Sequence, residues 1–182
     1  TEALVVSLAM IAGGLMLLQF AFIPKEKPLL VLGLFSLVIS IRIGVTGTAP
    51  LFWLVGEIGW HPAIRMEYLS MMLVGPIILV WLHLLFPKEM PKPAVMAGCL
   101  AFTPPVLLIL TTPAQTFTAW LNPMMALLGL SILGSLVSIM LAFIHKREGG
   151  RLFIGGLFLI NLTGLNDLLY HYRLVSTGEL LP

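Results

Sequence analysis

The sequence predicts an all-α integral membrane protein, a polytopic helix bundle whose chain crosses the bilayer six times. Three observations predict it. Of the 182 residues, 59% are hydrophobic and only 10% are charged, whereas a soluble domain carries about 25% charged residues. Six apolar runs have the length that a hydrocarbon core of about 30 Å requires. The basic residues between these runs are also divided unequally between the two sides of the bilayer.

The six apolar runs follow one another through connections of two kinds. The runs cover residues 3–23, 29–45, 68–86, 94–110, 124–144 and 152–170. Proline and charge separate the first from the second, the third from the fourth and the fifth from the sixth, in IPKEKP (23–28), FPKEMPKP (86–93) and HKREGGR (145–151). The other two connections, 47–65 and 111–123, are aromatic and poor in lysine. Each run is therefore predicted to be one transmembrane helix.

The charges predict the orientation of the bundle. Seven of the ten basic residues lie in the proline-rich connections: Lys25, Lys27, Lys88, Lys92, Lys146, Arg147 and Arg151. Arg42, Arg65 and Arg173 lie towards the other side. By the positive-inside rule the lysine-rich side is cytoplasmic, so the N-terminus and Pro182 are both predicted to lie outside. The outer side also holds three of the four tryptophans, which are typical of an interfacial aromatic belt, and all three tyrosines, which lie beside charged residues.

A polar cluster is predicted just inside the outer surface of the bundle. Its members are Arg42, Arg65, Glu67, Tyr68, Asn166, Asp167, Tyr170 and His171. Arg42 ends the second run, and Arg65 and Glu67 precede the third. Asn166 and Asp167 lie about one turn before the end of the sixth. Two interpretations stay open: the acids and arginines pair only to hold the helices together, or they line a small ligand pocket that opens outwards.

Several functions are disfavoured by what the apolar runs lack. No lysine falls inside them, so retinal has no attachment point. The four histidines do not share the depth that a haem or a metal ion between helices requires. Cys99 alone cannot form an intrachain disulfide, and a net charge of +2 is too small to predict nucleic-acid binding. Since hydrolase, P-loop and zinc-protease motifs are also missing, we expect no catalytic site, no cofactor and no metal.

Three stretches carry a resemblance to a known family. IRIGVTG (41–47) ends the second run, and RMEYLSMMLVGPIILVWLHLLFPKEMPKP (65–93) surrounds the third with an R-x-E-Y-L-S start and an F-P-x-E finish. GGRLFIGGLFLINLTGLNDLLYHYRLVSTGELLP (149–182) contains N-D-x-L-Y at the end of the sixth. In order, spacing and sidedness, these stretches resemble the membrane domain of bacterial seven-transmembrane receptors with diverse intracellular signalling modules (7TMR-DISM).

The resemblance implies a multi-pass receptor domain of the bacterial cytoplasmic (inner) membrane. Its implied partners are the lipid bilayer, an extracytoplasmic sensory domain and a cytoplasmic output module of the kinase or cyclase type, in the same or a partner polypeptide. It also admits a homodimer. Such receptors have seven spans, so residues 1–182 are interpreted as six of an expected seven, without the sensory and output domains. A small-molecule or ion transporter or channel, and a purely structural anchor, are the alternative functions.

Overall fold

The computed structural model describes residues 2–46 and 59–145, together with residues 155, 156, 161, 162, 165, 166 and 169. Its continuous helices are α1 (Glu2–Phe22), α2 (Lys27–Val45), α3 (Trp60–Leu85), α4 (Lys92–Thr111), α5 (Ala114–Ala119) and α6 (Leu121–Ile144). The seven isolated positions also have helical backbone. The predicted all-α membrane fold is confirmed, because five of these helices, all except α5, are long and apolar enough to cross a membrane.

Helix ends depart from the ends of the apolar runs where polar residues continue a helix. The bounds of α1, α2 and α4 lie within two residues of the predicted runs. In contrast, α3 begins at Trp60 rather than at residue 68, because Pro62 suits a first turn and the polar residues after it do not interrupt a helix. The sixth run, 152–170, lies outside the described residues except for its isolated positions.

The connection at 111–123 contains a short helix, α5, that was predicted only as a connection. Pro113 precedes it and cannot donate a backbone hydrogen bond to the end of α4, so α4 stops and a new helix starts. Ala114 and Phe117 of α5 are buried. As a result, α5 lies against the bundle, where it contacts α3, α4 and α6.

The helices pack in an up-and-down order. In the described part of the chain, α1 packs against α2, α2 against α3 and α3 against α4, while α6 contacts both α3 and α4. The bundle therefore has two ends. We call the end that carries Arg42 and Arg65 the arginine end. The opposite end, which carries Lys25, Lys27, Lys88 and Lys92, is called the lysine end, and the positive-inside rule predicts that it is cytoplasmic.

Glycines allow close approach at two helix pairs. A Cβ atom on Gly13 of α1 would lie 3.0 Å from the carbonyl oxygen of Gly33 of α2. Between α3 and α4 the fit is tighter, because a Cβ atom on Gly75 would lie 2.3 Å from Cζ of Phe102. Lipid supplies little hydrophobic drive for helix association, so contacts of this kind are what hold such helices together.

Buried apolar side chains form two separate clusters, one towards each end of the bundle. The arginine-end cluster contains Met71, Met72, Phe102, Ile109, Ala114, Phe117 and Met124. The lysine-end cluster contains Leu79, Trp81, Leu82, Phe86, Met90, Val95, Ile139 and Ala142. Along α3 the two clusters are separated by residues 73–78, which include Gly75. Along α6, the buried Ser135 lies between Met124 and Ile139.

Gly75→Ala is expected to lower the free energy of unfolding by about 1–3 kcal/mol, because an added methyl group overpacks a filled core. The Phe102 ring that it meets is only 2% exposed and has little room to move. Gly134→Ala is the matched control, since no atom of the described residues lies within 4 Å of its Cβ position and alanine favours a helix. Thermal unfolding in detergent, followed by circular dichroism, compares the two. Equal unfolding midpoints for the two variants would contradict the close contact between Gly75 and the Phe102 ring.

Candidate functional site

Arg42 occupies the last turn of α2 at the arginine end. The carbonyl groups in the last turn of a helix carry partial negative charge, so a cation is favourable there. Thr46 closes the turn, because its backbone N–H and its hydroxyl Oγ1 donate to the Arg42 carbonyl oxygen at 3.1 and 2.8 Å. The Arg42 residue is half-buried and has an interaction partner. The end of α2 therefore holds a cation at the arginine end of the bundle.

Arg65 joins α3 to the end of α4. Its Nη2 atom donates to the backbone oxygen of Thr112 at 2.9 Å. The last carbonyl groups of a helix have no intrahelical donor and must find one elsewhere. Thr112 itself turns back into α4, with its N–H and Oγ1 donating to the Leu108 oxygen at 3.0 and 2.6 Å. The guanidinium group thus complements the negative end of α4 and fixes it to the second turn of α3.

Tyr68 fixes α5 to the same part of α3. Its ring and the ring of Phe117 are 5.2 Å apart between centroids, with an interplanar angle of 61°. This edge-to-face arrangement is one that aromatic pairs prefer. Phe117 is fully buried, so the contact is protected from solvent and lipid. We call the Arg65–Thr112 hydrogen bond and the Tyr68–Phe117 contact together the arginine-end clasp.

Glu67 lies between the two clasp residues of α3 and is half-buried. Its backbone oxygen accepts a hydrogen bond of 2.8 Å from the Ser70 hydroxyl. In the described part of the chain no ion pair joins Glu67 to Arg65. Arg65 binds a neutral carbonyl group instead, so its charge is not cancelled by that contact. An exposed guanidinium group of this kind can still attract a carboxylate or phosphate group.

The described residues include five of the eight members of the predicted polar cluster. The structure places Arg42, Arg65, Glu67 and Tyr68 at the ends of α2 and α3 that meet at the arginine end. Asn166 has helical backbone, is half-buried and has an interaction partner. The other three members, Asp167, Tyr170 and His171, lie outside the described residues. The expected pairing of acids with arginines across the sixth span therefore stays a prediction.

The lysine end contains a second set of polar contacts that sequence reasoning did not single out. The Glu89 carboxylate, with a side chain only 2% exposed, lies 3.4 Å from Nδ1 of His145 (Oε1 to Nδ1) at the end of α6. Nδ1 of His83 lies 2.7 Å from the backbone oxygen of Met90. We call these two contacts the lysine-end clasp. In the sequence, the acid of F-P-x-E stands isolated among lysines, and this was the signal that could have predicted a polar contact at this end.

A buried polar contact lies between the two apolar clusters. The hydroxyl of Ser135 is hydrogen-bonded to Oδ1 of Asn161, and both side chains are buried. The same hydroxyl lies 2.8 Å from the carbonyl oxygen of Ile132 on its own helix. A hydroxyl group has one proton, so the Ser135 proton is shared between these two acceptor oxygens. The contact joins α6 to the chain segment that follows it.

Comparison with known proteins gives one positive result. The family model 7TMR-DISM_7TM, described as 7TM diverse intracellular signalling, matches residues 1–182. That match covers the whole chain, including the stretches that the structure does not describe. A search of curated proteins and a search of solved structures each found no significant match.

Arg65→Gln is expected to lower the free energy of unfolding by about 0.5–1.5 kcal/mol, because the Thr112 oxygen loses its donor. Amide hydrogen exchange in the α4–α5 turn should become faster for the same reason. Lys92→Gln is the matched control, since it removes the same charge from the opposite end of α4. If the two variants change exchange at residues 112–118 equally, the Arg65–Thr112 contact is not what holds this turn.

Ser135→Ala and Asn161→Ala are expected to be coupled by about 0.6 kcal/mol, the average for hydrogen bonds between membrane helices. Unfolding in lipid or mixed micelles, analysed as a double-mutant cycle, measures the coupling. Ser138→Ala is the control, because the Ser138 hydroxyl donates to the Gly134 oxygen of its own helix. Coupling of Ser138 to Asn161 as large as that of Ser135 would contradict the assignment.

Proposed function

The chain belongs to the 7TM diverse intracellular signalling family, and from this membership we propose that it relays an extracytoplasmic signal to a cytoplasmic output module. As a multi-pass membrane domain of a signalling family it is a transmembrane sensor domain. The proposed output module is of the kinase or cyclase type, in the same or a partner polypeptide. The proposed location is the bacterial cytoplasmic membrane, with the lysine end inside.

The observation that supports this proposal best is the contact between Arg65 and Thr112. An ionised guanidinium group that binds a neutral carbonyl group makes a weaker contact than it would with an anion. An anionic ligand, or an acidic side chain such as Glu67 or Asp167, can therefore compete with Thr112 for Arg65. Each outcome of that competition corresponds to a different position of the α4–α5 turn relative to α3.

Such a competition can carry a signal only through differential affinity. A ligand shifts an equilibrium between two helix arrangements by the difference in its binding free energy for them, and by no more. Moving the population from about 1:99 to 99:1 requires roughly 5.5 kcal/mol of that difference. A few charge-assisted hydrogen bonds at about 1.5–3 kcal/mol each supply this amount. The predicted cluster offers Arg42, Arg65 and their neighbours for this purpose.

We propose that the domain itself catalyses no reaction. The described polar groups at the arginine end include arginine, glutamate and tyrosine side chains near helix ends, which suits binding and pairing. The histidines of the lysine end are engaged with a backbone carbonyl group and a carboxylate. In this proposal the chemistry belongs to the output module.

The test is signalling by the full-length receptor. Arg65→Gln, Glu67→Gln and Asp167→Asn should each change the basal or stimulated output by at least about tenfold, the effect of 1.4 kcal/mol on a two-state equilibrium. Lys92→Gln is the control, because it removes a charge at the lysine end, away from the predicted cluster. Unchanged output from variants that reach the membrane in normal amounts would contradict the proposal.

Solute flux through the bundle in proteoliposomes would favour a transporter instead. Full output after replacement of the bundle by unrelated spans would favour an anchor.

A further inference from the structure

The prolines inside α3 and α4 lie where the two apolar clusters meet. Pro76 is inside α3, and Pro104 and Pro105 are inside α4. Proline has no N–H group, so the carbonyl groups four residues earlier lose their usual donor. On α4 those carbonyl groups belong to Leu100 and Ala101. Both fall between Val95 of the lysine-end cluster and Phe102 of the arginine-end cluster.

The same layer contains small or polar residues on α3 and α6. On α3, Gly75 adjoins Pro76 and receives the Phe102 ring in place of a side chain of its own. On α6, the layer contains Ser135, whose hydroxyl bonds to Asn161 rather than filling space with apolar atoms. The bundle is thus bound by large apolar side chains on both sides of this layer and by small or polar groups within it. We call it the proline layer.

We propose that the proline layer is a hinge, at which the arginine-end segments of α3 and α4 swing together with α5 against the rest of the bundle. Sharp bends in helices occur almost always at proline or similar interruptions. Beyond the first turn, α1, α2 and α6 contain no proline, so they form the fixed frame. Residues 60–75 of α3, residues 105–111 of α4, and α5 form the moving segment.

The two clasps make the halves on either side of the hinge move as units. At the arginine end, Arg65 and Tyr68 fix α3 to Thr112 and Phe117, so α3, α4 and α5 are tied to one another. At the lysine end, His83 and Glu89 tie the α3–α4 connection to α3 and to α6. While Arg65 holds Thr112, a bend in α3 alone is resisted, and a joint bend of α3 and α4 is the motion that keeps both clasps. A group that displaces Thr112 from Arg65, as in the proposed function, releases α3 and α4 to bend separately.

A joint bend has a measurable size. The part of α4 between Pro104 and Thr111 is about 10 Å long, so a bend of about 20° displaces its end sideways by roughly 3–4 Å. The start of α1 lies at the same end of the bundle and belongs to the fixed frame. The distance between Leu4 and Leu110, both exposed, therefore reports the bend.

The test uses spin labels on the full-length protein in lipid nanodiscs. Labels are attached at Leu4→Cys and Leu110→Cys in a Cys99→Ala background, and pulsed dipolar spectroscopy gives the distance distribution. Replacing Pro104 and Pro105 by alanine, alone or with Pro76→Ala, should remove roughly 3–4 Å of its width, because the helices regain their hydrogen bonds. Pro93→Ala is the matched control, since proline in a first turn breaks no helical bond.

A width that the alanine variants leave unchanged overturns the hinge, and so does an equal narrowing by Pro93→Ala. The role of the hinge in signalling rests on the proposed function, but the bend itself does not. If the alanine variants narrow the distance distribution while the full-length receptor gives normal output, the hinge is supported and its role in the proposed relay is contradicted. Pro76→Ala measured separately, with the label at Met66 in place of Leu110, tests α3 if the α4 variant misfolds.

Discussion

Within hydrocarbon there is no water to hydrogen-bond a backbone carbonyl group, and the structure depends on how each such group is satisfied. Inside the helices the next turn supplies the donor. At the end of α4, Thr112 receives its donor from Arg65, and at the lysine end the Met90 oxygen lies beside His83. Thr112 is a point where one helix depends on another, because the last carbonyl groups of a helix have no donor within that helix. The Arg65–Thr112 contact follows from this constraint.

The same constraint explains the layered arrangement of the bundle. Large apolar side chains gather in two clusters, and polar side chains lie at the two ends or between the clusters. Buried hydroxyl groups such as those of Ser40 and Ser70 donate to carbonyl oxygens of their own helix. These hydroxyl groups therefore add little to the contacts between helices. Ser135 is different, since its hydroxyl also reaches Asn161, and this contact joins two segments in the middle of the membrane.

Hydropathy predicted the fold class and most helix bounds because it measures which segments lipid will accept. It did not predict that α3 continues outwards to Trp60, since the polar residues there are compatible with a helix but not with hydrocarbon. Nor could it predict α5, which is too short to register as a span. Contacts such as Arg65 with Thr112 join residues far apart in the sequence, and no local pattern specifies them. Charge counting alone pointed Arg65 towards an acid. Among the described residues its partner is the Thr112 carbonyl oxygen, and a pairing with Asp167 stays a prediction.

The position of α3 shows how the two ends can influence one another. It contacts α2, α4, α5 and α6, it contributes to both apolar clusters, and it carries a residue of each clasp. Its 26 residues extend for roughly 39 Å. Coupling over such a distance requires an element with two discrete arrangements rather than one that deforms continuously. If α3 were straight and tightly packed along its whole length, it would resist any displacement. If it were loosely packed throughout, a displacement at one end would not reach the other. Two rigid halves joined at Pro76 avoid both failures, because a shift imposed on one half changes the angle at which it meets the other.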